Sequence, residues 1–436
     1  MTKINEQLIS FLQASPTAWH AVENLADILK KDGYCELKET EDWQLTSGGR
    51  YLVRRNGSSV IAFQVPEGES RSFRITASHS DSPAFRIKED PVFRSGGGLY
   101  ASLNTERYGG MLCAPWFDRP LSVAGRVAVR TEEGIRLRNV CLDRDLLLIP
   151  SLAIHMDRSA NDGKKYEAQT DMLPLFSLSE DPSLFKKMIA QAAQADPDDL
   201  LATELFLYVR TRGTLWGADE EFLSAPRLDD LQCVFGCLKG FQTCRKSGGA
   251  VPVFCVFDNE EVGSETAQGA GGTFLEDTLF RVAAALGKDA AAYRRMVASS
   301  FLVSADNAHA VHPNHPEYAD RKDRPVINGG VVIKHNAARK YTTDAASAAL
   351  FEEICRRAEV PFQHYTNRAD LAGGSTLGHI SLAHVSVDSV DIGLAQLAMH
   401  SCYETAGAMD TEYLIRAIEA YYSLACEKNG EGFCIF

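Results

Sequence analysis

Five consecutive apolar residues, Val253-Phe-Cys-Val-Phe257, run straight into Asp258-Asn-Glu-Glu-Val-Gly263. A strand that faces water on one side alternates apolar and polar residues, so an unbroken run reads as a buried central strand. Gly263 suits the sharp exit that follows. Glu260 and Glu261 then stand at the mouth of that strand, where adjacent carboxylates repel each other and lose water. An isolated Glu-Glu pair is ordinarily two solvated acids on a loop. The alternative is that one acid holds a cation while the other moves a proton, and the rest of the chain decides between them.

A chain of 436 residues is too long for one compact pair of layers and is expected to hold two domains. No stretch approaches the roughly 18 apolar residues of a membrane span, and Met1 to Pro16 lacks the shape of a secretory signal. Eleven cysteines are scattered without a Cys-x-x-Cys spacing, which reads as reduced cytoplasmic thiols. The net charge of -13 argues against nucleic acid or an anionic membrane as a partner. An acidic substrate would have to be drawn in by local positive charge.

Ile4 to Gln13 and Thr17 to Lys31 carry helical periodicity, and His20 in the second reads as a packed structural histidine. Three strand-like segments follow, the last ending in Ser78-His-Ser-Asp-Ser-Pro83. His79 and Asp81 there have the spacing of a ligating imidazole and the carboxylate that orients it. From about residue 91 to 212 the texture changes to short alternating runs punctuated by Gly96-Gly-Gly98 and Gly109-Gly110. This is read as an inserted β-rich domain, 91–212, interrupting an α/β domain made of 1–90 and 213–436. His155 is kept in view there, although a lone histidine is more often structural.

The α/β texture resumes with Arg227-Leu-Asp-Asp230 at a helix start, where the helix dipole alone favours Asp229 and Asp230. Phe301 to Ala305 is another apolar strand, followed by Asp306. His309, His312 and His315 recur at threes in the next loop and are read as cavity lining rather than a metal triad. Val331 to Lys334 and Val385 to Ile392 are strand-like, Thr342 to Arg357 is helical, and a final helix runs from Asp410 to about Cys426. Leu371-Ala-Gly-Gly-Ser-Thr-Leu-Gly378 is a small-residue loop that lets a ligand approach backbone amides, with Gly374 and Ser375 at its centre. Met399-His-Ser401 lies between the last strand and the last helix.

His79, Asp229, Glu260, Glu261, Asp306 and His400 mostly follow a strand, which is where ligands collect in open α/β sheets. Imidazole and carboxylate donors without thiolate suit zinc, with manganese or cobalt as substitutes. Two metals about 3.5–4 Å apart need a bridging carboxylate, and one further carboxylate must stay off the metals to move protons. The residues alone therefore read as a metal-dependent hydrolase.

At the same residues the chain resembles the aspartyl aminopeptidase family of cocatalytic-zinc exopeptidases. The matching segments are Ser15-Pro-Thr-Ala-Trp-His20, Ser78 to Pro83, Pro226 to Asp230, Phe257-Asp-Asn-Glu-Glu-Val-Gly-Ser264, Ser304-Ala-Asp-Asn-Ala-His309, Gly374 to Gly378 and Met399 to Ser401, in family order across nearly the whole chain. The resemblance implies a zinc-exopeptidase-like α/β fold with a central mixed sheet flanked by helices, interrupted by an inserted β-rich dimerisation domain. It implies two zinc ions per subunit: His79 and Asp306 on one, Glu261 and His400 on the other, Asp229 bridging, Glu260 as general base and Asp81 orienting His79. It makes His155 the histidine that reaches into a neighbouring subunit's site, and implies assembly into a tetrahedral dodecamer acting on small peptides. Lys334 matches a family lysine and is the candidate cation for an acidic substrate side chain; a snorkelling surface lysine is the alternative.

Three positions depart from the family pattern: Asp230 where Asn is expected, His379 where Pro is usual, and Trp19 where Phe is common. The first adds negative charge beside the bridging acid. The expected function is removal of N-terminal Asp or Glu. The same fold with a neutral preference is the alternative within enzymes, and a catalytically silent zinc-binding scaffold is the alternative outside them.

Overall fold

In the computed structural model, which describes residues 3–244, 248–430 and 432–435, the apolar run becomes the strand Ala250–Phe257, buried throughout. It is the fourth strand of a nine-stranded sheet, antiparallel to Ser59–Gln64 and parallel to Ser72–His79. The unbroken run has a simple cause. Val253, Cys255 and Phe257 enter one core with helices Phe274–Ala285 and Ala290–Ala298. Phe254 and Val256 enter the other, with helices Lys3–Ala14, Ala18–Lys31, Leu228–Thr243, Ala345–Arg357 and Asp410–Ser423. Successive side chains point to opposite faces, so a strand covered on both faces has no polar position to spare.

Beyond Ser72–His79 the sheet continues through Phe301–Ala305 and Asp388–Gly393, both parallel. Val331–His335 then joins antiparallel and Phe362–Thr366 parallel to it. The result is the expected mixed sheet flanked by helices.

A second sheet of six strands is antiparallel throughout, in the order Gly134–Cys141, Leu121–Thr131, Leu200–Val209, Ala84–Ser95, Tyr100–Tyr108, Leu175–Ser177. It has its own core, including Phe85, Trp116, Leu121 and Leu205, covered by Phe185 and Ile189 of helix Leu184–Ala192. Its strand Ala84–Ser95 runs through residues 90 and 91, so the boundary expected there falls inside an element. A third sheet of five strands pairs Ala395–Leu397 with Glu404–Gly407, and the turn between them carries His400.

Three element ends differ from the periodicity. The helix expected from Thr342 starts at Ala345, because Asp344 caps it by accepting the Ser347 N–H at 2.8 Å. Thr342 instead gives its N–H and hydroxyl to Asp391 Oδ2, at 2.6 and 2.7 Å. The strand expected from Val385 starts at Asp388, while Val385 and Val387 pack into the core beneath Phe274–Ala285. The last helix stops at Ser423, and Cys426–Asn429 turns back as a hairpin with Gly432–Ile435. Among the described residues no helix is long and apolar enough to cross a membrane.

Candidate metal centre

Parallel pairing sets the geometry. Phe257 and His79 are register partners, so their strands end at one level. Phe301–Ala305, on the other side of Ser72–His79, delivers Asp306 beside them. Asp229 enters from the first turn of helix Leu228–Thr243, where its backbone leaves helical geometry at φ -82, ψ 110. Its peptide link to Asp230 is cis. His400 arrives from the five-stranded sheet at φ 64, a left-handed conformation uncommon for a residue with a side chain.

The donors converge in two groups that share Asp229. His79 Nε2 lies 3.6 Å from Asp229 Oδ1 and 3.9 Å from Asp306 Oδ1. His400 Nε2 lies 3.4 Å from Asp229 Oδ2 and 3.5 Å from Glu261 Oε2. The two oxygens of one carboxylate thus face two different histidines. Asp229 Oδ1, Asp230 Oδ1 and Glu261 Oε1 are buried acceptors without a hydrogen-bond donor. Leaving such an atom unpaired costs about 1–3 kcal/mol, and a cation removes the cost. Imidazole and carboxylate donors lying within 4.8 Å of one another, with no thiolate among them, fit zinc.

The protonation pattern agrees. Burial, reinforced by neighbouring acids, pushes Glu260 up to about 7 and holds Glu261 and Asp230 well above the usual carboxylate range. Burial alone would lower the histidines. The facing carboxylates win, raising His79 well above its ordinary value and His400 to about 10. Asp229 alone goes the other way: despite its burial, the two histidines it faces hold its carboxyl below the usual carboxylate range, so it is the anion around which the other groups keep their protons. The extra charge expected from Asp230 is suppressed by its burial, and its Oδ2 accepts the His79 backbone N–H at 3.1 Å.

Supporting contacts fix the donors. Asp81 places its carbonyl 3.1 Å and its Oδ1 3.4 Å from His79 Nδ1. Its two carboxylate oxygens also accept the backbone N–H groups of Glu260 and Glu261, at 3.1 and 3.2 Å. His400 Nδ1 donates to the Gly110 carbonyl at 2.6 Å. That bond fixes the ring's orientation through Nδ1 and turns Nε2 toward the acids.

The other sequence candidates lie at varying removes. Glu260 is half-buried in the turn Glu260–Val262 and groups with His79 and Glu261. Lys334 is 2% exposed, which excludes a surface lysine. Its Nζ lies 3.6 Å from Asp306 Oδ2 and 5.4 Å above the Tyr341 ring. Burial opposes its charge, but the Asp306 carboxylate more than compensates and keeps it an ammonium. Gly374 and Ser375 lie in an exposed loop, and a Cβ on Gly374 would meet nothing within 4 Å. His155 is exposed on a turn and makes no hydrogen bond or ion pair with the acids. The His312 and His315 rings lie tilted against each other, centroids 5.4 Å apart, and His315 Nδ1 is 2.9 Å from Glu317 Oε1. His20 is structural: its Nδ1 is 2.8 Å from Thr17 Oγ1, and burial lowers its pKa to about 4.

Two supporting residues escaped the sequence reading. Glu404, 2% exposed, accepts the His400 N–H at 2.8 Å and the Asp229 N–H at 3.0 Å. Its only signal is a position four residues after His400. Tyr108, at the end of strand Tyr100–Tyr108, donates to Asp81 Oδ2 at 2.7 Å; in the sequence it merely precedes a Gly-Gly punctuation.

A family profile described as "Aminopeptidase I zinc metalloprotease (M18)" matches residues 11–422. A Clostridium acetobutylicum protein named "Probable M18 family aminopeptidase 2" is 43% identical over 429 residues, spanning 96% of this chain and 98% of its own length. A chain from the cryo-EM structure of the Ape4 and Nbr1 complex superimposes with a TM-score of 0.93 at 36% identity, over 96% of this chain and 85% of that one. The S. cerevisiae mApe1 dodecamer structure superimposes with a TM-score of 0.83 at 25% identity, over 96% of each chain.

Proposed function

The chain belongs to the M18 family of zinc metalloproteases and is an M18 aminopeptidase, and from that premise we propose that it removes N-terminal residues, acidic ones by preference, from small peptides. The observation that carries the reading is the division of Asp229, one oxygen toward His79 and the other toward His400. It supports two metal positions, His79 with Asp306 and Glu261 with His400, bridged by Asp229. Zinc, or manganese or cobalt in its place, supplies Lewis acidity at such a site, polarising the peptide carbonyl and acidifying water. The chain's residues do the rest. Glu260, in one cluster with His79 and Glu261, takes the proton of the attacking water and returns it to the leaving amine. Asp81 holds His79 and the turn that carries Glu260.

Lys334 is the cation assigned to an acidic substrate side chain, and the loop backbone of Gly374 and Ser375 is assigned to the substrate as well. A neutral preference is the competing reading, favoured by the fact that Lys334 already has an acid partner in Asp306.

The six-stranded sheet is assigned as the inserted dimerisation domain. Leu99, Ile135, Leu178 and Met156 stand exposed on it and its adjoining loops, which supports its covering by another copy of the chain. The exposed turn of His155 suits a reach into a neighbouring subunit. A dodecamer is the proposed assembly, by likeness to the mApe1 dodecamer. Eleven cysteines without a disulfide support a cytoplasmic location.

The test is hydrolysis of Asp-, Glu-, Leu- and Lys-p-nitroanilides by metal-free protein with zinc, manganese or cobalt added back, alongside Glu260→Gln. Metal-restored activity strongest on Asp and Glu is expected, with Glu260→Gln retaining zinc and losing about 10²–10⁴-fold in turnover. Activity favouring Leu would reject the acidic preference, and near-normal turnover by Glu260→Gln would remove it as the base.

A further inference from the structure

We propose that Tyr108-Gly109-Gly110, where the six-stranded sheet hands the chain on, is a positioning element of the metal centre, with Tyr108 acting through Asp81. The inference rests on the two-metal reading above and assigns a role to residues that reading does not use. Three consecutive residues reach three separate members of the site. The Tyr108 hydroxyl donates to Asp81 Oδ2 at 2.7 Å and accepts from Asn259 Nδ2 at 2.9 Å. Gly109, at φ +77, passes so close to Glu261 that a Cβ would lie 3.1 Å from the Glu261 Cβ. The Gly110 carbonyl accepts from His400 Nδ1 at 2.6 Å, and the Leu112 N–H two residues on returns to the His400 carbonyl at 3.0 Å. One short segment therefore braces both proposed metal positions from outside the sheet that supplies most of their donors.

The direction of the Tyr108 bond is settled by its neighbours. Asn259 Oδ1 accepts from Thr266 Oγ1 at 2.8 Å and from Gln268 Nε2 at 2.9 Å, which orients the amide so that Nδ2 faces the phenol. The one phenolic hydrogen is then committed to Asp81. The ring itself is held edge-on against Phe206, centroids 5.4 Å apart, within the six-stranded sheet. Asp81 in turn steadies His79 and the backbone of Glu260 and Glu261. Without the hydroxyl, Asp81 Oδ2 keeps only the Glu261 N–H at 3.2 Å. Removing a partner outside the ligand set commonly costs about 10–100-fold in metal affinity or activity. The seating of the six-stranded sheet is thereby tied to how firmly the chain holds metal.

The experiment is a chelator competition that measures zinc affinity for wild type, Tyr108→Phe, Asp81→Asn and the double variant, with melting temperature and sedimentation as checks of folding and assembly. Tyr108→Phe is expected to hold zinc about tenfold more weakly. At saturating zinc it should lose kcat while KM stays within about twofold. In the Asp81→Asn background the same change should have little further effect, because two residues acting through one contact are not additive. Wild-type zinc affinity and kcat in Tyr108→Phe would overturn the inference, as would equal losses in both backgrounds. If wild type binds zinc yet cleaves nothing, the Glu260 chemistry fails while the four zinc affinities still decide this inference. If wild type binds no zinc, both fall together.

Discussion

Glu404→Gln tests whether the backbone, as much as the ligands, makes this site. The substitution preserves the shape of a side chain that is 2% exposed and turns one oxygen into an amide nitrogen. Both native oxygens accept backbone hydrogens, from His400 at 2.8 Å and Asp229 at 3.0 Å. Burial, with the Asp229 carboxylate adding to it, pushes the Glu404 carboxyl up to about 8, yet a carboxyl accepts through both oxygens in either protonation state. A glutamine has one acceptor. Whichever way it turns, one buried N–H faces another donor, at a cost of about 1–3 kcal/mol. The cost lands on the backbone of two proposed ligands, one of them, His400, at φ 64 and needing its surroundings to hold it there. At about 1.4 kcal/mol per factor of ten, zinc affinity is expected to fall by about 5- to 150-fold. Chelator competition on the folded variant, with metal content after gel filtration, gives the answer. Wild-type affinity in a folded Glu404→Gln protein would refute the reasoning, because it would mean His400 and Asp229 keep their places without the bonds from Glu404.

Lys334→Met removes the ammonium that lies beside Asp306 Oδ2, and a lost charged hydrogen bond is worth about 1.5–3 kcal/mol. The kcat/KM for Asp and Glu substrates should fall by roughly 10- to 150-fold more than for Leu; equal losses on both classes would end the assignment. His20 makes a pH prediction away from the site. Burial, with help from Arg227 and opposed by Glu23, holds it near 4 when folded, against 6.5 when unfolded. Between those values the unfolded chain binds the extra proton, so stability is lost as pH falls from 6.5 toward 4, by at most about 3 kcal/mol. Urea unfolding at pH 7 and pH 4.5 should show a smaller drop for His20→Gln than for wild type, and equal drops would assign the acid sensitivity elsewhere.

Much of the candidate site was legible because its proposed donors sit where local pattern changes. His79 and Asp306 follow apolar strands, Glu260 and Glu261 follow the most apolar strand of all, and Asp229 opens a helix. Each of those transitions is a property of a few neighbouring residues, and pattern reading finds it. The brackets around the donors were not legible. Glu404 and Tyr108 are single residues of common type, and neither their identity nor their spacing distinguishes them from ordinary surface polar groups. Lys334 was ambiguous for the same reason: Val331-Val-Ile-Lys334 reads equally as a strand ending in water or one ending beside an acid. The capped start at Asp344 was missed because Thr342 and Thr343 are compatible with a helix until Asp391, far along the chain, claims the Thr342 N–H.

By itself the sequence determined which segments had to be buried, since five apolar residues in a row leave few alternatives, and it marked which residues were candidates for ligand chemistry. Only the tertiary structure decided what those residues meet. Parallel register brings His79 level with Phe257, Asp229 turns its two oxygens to different histidines, and Gly110 supplies a carbonyl to His400 across 290 residues of chain. Burial and local conformation follow from side chains and near neighbours. Contacts between distant segments depend on how strands pair and layers stack, and no local pattern encodes them.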